Sequence, residues 1–161
     1  MENKRNFNFD VPQLLLAFAA LAIAASSMEA IWYLGVAERL YAERIGVLMN
    51  AQFDFFVAVL FYLFYSTGAV IFAVRPALRV RSLTVALRGG ALYGFFCFSA
   101  HNLTDLADMK GFSAEIAVID MAWGTFMTAT ACGLSYCIAR ALRKVARPGA
   151  VPAARMGQLA P

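Results

Sequence analysis

Seven residues combine types and spacings that can do chemistry in an apolar setting: Glu29, Trp32, His101, Asn102, Asp105, Asp120 and Trp123. Trp32 and Tyr33 follow Glu29 by three and four positions, so a helix puts them on its face. His101 and Asp105 are four apart, with Asn102 and Thr104 between them, and Trp123 stands three after Asp120. Carboxylates, an amide and an imidazole beside indole rings suit one polar pocket with aromatic walls. Such a pocket binds a molecule with polar and apolar parts, or does acid–base work with Asp120 and His101 as the pair.

Other chemistries lack their residues. His101 is the single histidine, which excludes bis-histidine haem ligation within one chain. Glu29, His101 and Asp120 make a weak metal set without a second histidine, and no metal is expected. The sequence has no glycine-rich phosphate loop, nucleophile elbow or zinc helix motif, and no cofactor is implied. Cys97, Cys132 and Cys137 lie in apolar runs without metal spacing and read as small buried hydrophobes. Tyr62 and Tyr65 lie within reach of a pocket but read as core residues with satisfied hydroxyls.

The elements that carry these residues follow from composition. Of 161 residues, 61% are hydrophobic and 15% charged, with a mean hydropathy of +0.65. A soluble domain is about 45–50% apolar and about 25% charged, so a water-soluble globule is excluded. Residues 11–28, 55–74, 89–104 and 121–139 carry no Asp, Glu, Lys or Arg. Each approaches the length of about 20 residues that crosses a hydrocarbon core. No water reaches that depth, so the backbone must satisfy itself, and a helix does so.

The predicted fold class is all-α: an integral membrane four-helix bundle, with a short amphipathic helix between spans one and two. Residues 1–146 form a single transmembrane domain with spans at about 11–35, 53–75, 83–105 and 114–142. The amphipathic helix follows from Glu38, Arg39, Glu43 and Arg44 alternating with Leu40, Tyr41, Ile45 and Leu48. Residues 147–161 turn to Pro, Gly and Ala and read as a disordered cytoplasmic tail. Asp10 with Pro12 starts span one, Arg75-Pro76 ends span two, and Gly111-Phe112-Ser113 is a turn with Ser113 capping span four. Gly124, Thr128 and Cys132, with Thr125, Ala129 and Gly133, give span four two small-residue ridges for packing.

Charge placement sets the orientation. The net charge is +4, and eleven of the fourteen basic residues fall on one side of a chain that crosses four times. Only Arg39, Arg44 and Lys110 fall on the other. The positive-inside rule then puts both termini in the cytoplasm. Apart from Glu2 and Asp10, every acid maps to the outer half. At about 1.5 Å per residue, Asp120 sits roughly 10 Å past Ser113, His101 roughly 20 Å beyond Arg88 and Glu29 roughly 27 Å beyond Val11. All three come near one level in the outer third of the membrane. Ionisable groups within spans are costly, about 2.5–3.5 kcal/mol on insertion scales, and usually face the bundle interior.

Several segments also match a pattern in order: Phe61-Tyr62-Leu63-Phe64-Tyr65, Ala73-Val74-Arg75-Pro76-Ala77-Leu78, Gly90-Ala91-Leu92-Tyr93-Gly94, Asn102-Leu103-Thr104-Asp105-Leu106-Ala107, Lys110-Gly111-Phe112-Ser113 and Ile119-Asp120-Met121-Ala122-Trp123-Gly124-Thr125. In these the chain resembles domain-of-unknown-function family 2177, predicted bacterial inner-membrane proteins. The resemblance covers roughly residues 11–142, and the block from Asp120 to Thr125 is its most specific part. It implies the four-span architecture and the inner membrane, and no activity. Family members usually read Tyr-Asp-Leu-Thr-Asn where this chain reads His101-Asn102-Leu103-Thr104-Asp105, and carry Asp in place of Glu29. The acid and amide are exchanged one helical turn apart, which keeps a polar pocket and speaks against a strict metal or catalytic role for His101.

The expected function is binding or transport of a small amphiphile or lipid in an outward-facing pocket. Two other classes compete: a membrane enzyme or enzyme subunit acting on lipids, and a structural subunit of a larger complex packed through the ridges of span four. The expected partners are the lipid bilayer, a lipid or small amphiphile, and a homo-oligomer or membrane partner. Nucleic acid is excluded, because the basic clusters flank apolar runs and form no aromatic-interleaved face.

Overall fold

The computed structural model describes residues 11–37 and 54–145, all of it helix, turn or cap. Four helices are long and apolar enough to cross a membrane: Val11–Gly35, Phe55–Val80, Leu83–Asp108 and Ala114–Leu142. These are spans one to four below. The proposed amphipathic helix, the Asp10 cap and the C-terminal tail lie outside the described residues.

Each visible start has a chemical cause. The Asp54 carboxylate accepts from Val57 N at 3.1 Å and opens span two. The Ser82 hydroxyl accepts from Val85 N at 3.4 Å and opens span three. Ser113 caps span four as expected, accepting from Ile116 N at 3.2 Å. In each case a side-chain oxygen satisfies a backbone donor that the first turn leaves orphaned. Gly111 sits at φ +92°, the left-handed conformation glycine adopts without steric cost, and turns the chain from span three to span four.

Span two departs from expectation at Pro76. The helix does not end there but runs on to Val80, and Arg81 at φ 56° stops it. Residues Val70–Val74 form a π turn immediately before the proline. A proline removes one N–H and collides with the carbonyl four residues back. Widening the preceding turn shifts the hydrogen-bond register and lets the helix pass. The buried pairs Tyr65-Ser66, Ala69-Val70, Ala73-Val74 and Ala77-Leu78 therefore recur every four residues straight through it.

The bundle is organised around span four. Its most extensive contact is with span three, its next with span one, and span two leans on span three through the π turn. The buried side chains of span one are Gln13, Ala17, Leu21 and Ala25, one every fourth residue. Those of span three include Ala86, Gly90, Gly94 and Asn102 on the same spacing. Small side chains at four-residue intervals let helix backbones approach closely. A Cβ added to Gly90 would lie 2.8 Å from Cys132 Cβ and 2.9 Å from Thr128 O, and one on Gly94 only 2.6 Å from Gly124 O.

Much of both ridges of span four meets span three within the chain. Thr128, Cys132 and Ala129 meet span three at Gly90, and a Cβ on Gly133 would lie 2.8 Å from Leu87 Cδ2. These small residues hold spans three and four together. Outside, Phe56, Phe64, Phe72, Phe96 and Phe126 are exposed, so the surface is as apolar as the core. In lipid this costs nothing.

Candidate functional site

The registry that packs the helices also delivers the polar groups to one end. On span three, the stripe Ala86, Gly90, Gly94 is followed four residues on by Phe98 and four more by Asn102. On span four, Cys132, Thr128 and Gly124 lead in the opposite direction to Asp120. Asn102 Nδ2 therefore meets Asp120 Oδ2 at 2.7 Å, and also donates to Phe98 O at 3.0 Å. Asn102 is 1% exposed and Asp120 9%. A carboxylate at that depth is retained only where a donor faces it.

Span one pairs with span four in the same way. Gln13 Nε2 donates to Ala139 O at 3.1 Å, and Ser135 Oγ donates to Ala17 O at 2.7 Å. Followed along that antiparallel register, the next polar tie is Trp123 Nε1 donating to Glu29 Oε2 at 3.1 Å. The Asp120 carboxylate lies close enough to Glu29 to repel it electrostatically. Trp32 stacks on Trp123 with ring centroids 4.6 Å apart and planes within 11°.

These residues border a cavity of about 510 Å³ at the end of the bundle where spans three and four join. Five of the seven residues singled out in the sequence line it: Glu29, His101, Asn102, Asp105 and Asp120. Trp32 and Trp123 do not. They stack behind Glu29 and brace it, a supporting role that the sequence did not distinguish from lining. His101 sits at the rim, its side chain 69% exposed, with Nε2 3.4 Å from Asp105 Oδ2. Asp120 accepts from Asn102, and His101 lies beside Asp105. Among the described residues no three His, Cys, Asp or Glu side chains are grouped to hold a metal ion.

The sequence reading missed most of the wall. Phe61, Tyr62 and Tyr65 supply it from span two, and Tyr33 from the end of span one. Cys97 and Phe98 add to it from span three, Phe112 from the turn and Met127 from span four. Tyr65, 5% exposed, bonds through its hydroxyl to Thr128 Oγ1, which itself donates to Gly124 O at 2.5 Å. Tyr93 OH donates to Tyr65 O at 3.3 Å. This tie closes the cavity from below. Of the cysteines only Cys132 is fully buried as expected, while Cys97 lines the cavity and Cys137 is exposed on the outer face.

A family model described as "Predicted membrane protein (DUF2177)" covers residues 14–137. No curated protein and no solved structure matches the chain.

Proposed function

The chain belongs to the DUF2177 family of predicted membrane proteins, and from that premise we propose that it binds or transports a small amphiphile or lipid. It does so from the outer side of the bacterial inner membrane, with both termini in the cytoplasm. The observation that carries this reading is the cavity of about 510 Å³, aromatic on its span-two side and polar at Asn102 and Asp120. Its size lies within the range of about 300–1,000 Å³ typical of small-molecule sites. An apolar wall with a few fixed polar groups is how such sites hold a molecule of mixed character. The acidic end of the bundle is the outer end because Arg75, Arg79, Arg81 and Arg88 gather at the other.

Native mass spectrometry of the purified protein tests this directly. The expected spectrum contains a stoichiometric molecule, with polar head and apolar tail, that leaves on collisional activation. Tyr65→Ala, which opens the cavity floor, is expected to weaken its retention. A spectrum of bare protein from membranes of the native host, with no adduct beyond detergent, overturns the proposal.

A further inference from the structure

We propose that the cavity selects an organic ammonium: an amphiphile whose head carries a positive charge. The inference rests on the cavity being a binding site, and adds which chemistry it takes. Glu29, Asp105 and Asp120 all line it, brought there by three different spans. No Lys or Arg is among the described residues of the lining, and its one basic group is His101 at the rim. Glu29 is held by a neutral donor, the Trp123 indole, and faces the nearby Asp120 charge. Segment 38–53, which links spans one and two, carries Glu38 and Glu43 beside Arg39 and Arg44 and is neutral by sequence.

The walls point the same way. A cation is attracted to the face of an aromatic ring within about 6 Å of its centroid, more so where water is excluded. Phe61 stacks on Tyr65 at 5.4 Å and meets Tyr62 edge-on at 5.2 Å, which sets three rings along one side of the cavity. Tyr62 is also within electrostatic reach of Glu29. Carboxylates that attract the charge, beside rings that accept both the charge and its alkyl groups, are the arrangement that recognises alkylammonium ions. An anionic head would meet repulsion from the same carboxylates, and a neutral one would gain from the walls alone.

The test uses the chain's two tryptophans, Trp32 and Trp123, whose stacked pair touches Glu29 and reports occupancy by fluorescence. The full protein in dodecyl maltoside micelles is titrated with decyltrimethylammonium, decanol and decanoate. Decyltrimethylammonium is expected to saturate at a concentration about tenfold or more below decanol, with decanoate weakest. Glu29→Gln, which leaves Asp105 and Asp120 in the lining, is expected to narrow the difference between ammonium and alcohol while decanol still binds as before. Because that variant alters the environment of Trp123, alkylation of Cys97 by a small maleimide, in a Cys137→Ser background, provides a second readout. Bound ammonium should slow it.

Phosphatidylethanolamine added to the micelles identifies the source. Competition by it assigns the ammonium to a lipid head group, and indifference to it assigns a free amphiphilic amine. Both agree with the proposal. Saturable binding of ammonium and alcohol with equal affinity overturns it and leaves the amphiphile reading standing. Saturable binding of none of the three, by either readout, overturns both.

Discussion

The buried contact between Asn102 and Asp120 is where one side chain matters most. Asp120 is the most enclosed acid among the described residues, and Asn102 reaches it at 2.7 Å. Asp120→Asn keeps shape and acceptor, because an amide oxygen there still receives the Asn102 N–H. Interhelical hydrogen bonds in membranes average about 0.6 kcal/mol, so the thermal melt in micelles should move little. What changes is charge, and the variant is expected to fold normally yet lose the molecule expected in the native mass spectrum of the parent. Undiminished retention at equal protein levels would remove Asp120 from the site. Asp120→Leu, which deletes the acceptor as well, should destabilise by about 1–2 kcal/mol. The sequence pointed to Asp120 because an acid inside an apolar run stands out. It could not reveal Phe61, Tyr62 or Tyr65 as wall, because an aromatic residue in an apolar span is equally at home against lipid, core or ligand.

At the scale of helices, the four-residue stripes explain both what was legible and what was not. Four apolar runs announced four spans, and the turn at Gly111 and the cap at Ser113 are local chemistry that a sequence displays openly. Which face of each span turns inward is not displayed, because lipid is as apolar as the interior and no polar face marks the outside. The small residues hold that information. Gly90 and Gly94 oppose Thr128 and Gly124 across a gap with no room for a Cβ. Gly94→Val would place its Cβ 2.3 Å from Thr128 Oγ1 and 2.6 Å from Gly124 O, and the second of these is backbone. The helices must separate, at a cost of about 1–3 kcal/mol or more, read as an earlier thermal melt. Gly35→Ala meets nothing within 4 Å and is expected to stay within about 0.5 kcal/mol of the parent. Equal melting of the two variants would mean that spans three and four are not packed in this register. Span two hid one further feature: Pro76 signals a break, and only the π turn at Val70–Val74 shows how the helix passes it.

For the molecule as a whole, the outstanding quantity is which end faces which compartment, and charge is the basis for predicting it. The loop between spans two and three lies at one end of the bundle with Arg79 and Arg81, and Arg75 and Arg88 flank it. The opposite end joins spans three and four through Lys110 alone, beside Asp105, Asp108 and Glu115. Arginine and lysine near span ends hold short loops on the cytoplasmic side, whereas acids contribute little. Enzymatic reporters fused at Arg81 and at the C-terminus should therefore be active as cytoplasmic fusions, and those at Glu43 and Lys110 as periplasmic ones. The orientation bears directly on the cavity, since Glu29, His101 and Asp120 all sit at the Lys110 end. If the Arg81 fusion reports the periplasm, the cavity opens to the cytoplasm instead, and its ligand must be sought among molecules of that compartment. Replacing Arg79, Arg81 and Arg88 with Gln while adding five lysines beside Lys110 evens the basic residues at eight on each side. Such a chain is expected to insert in both orientations, giving mixed reporter activity at each site. A single unchanged orientation in that variant would show that something other than these arginines fixes the topology.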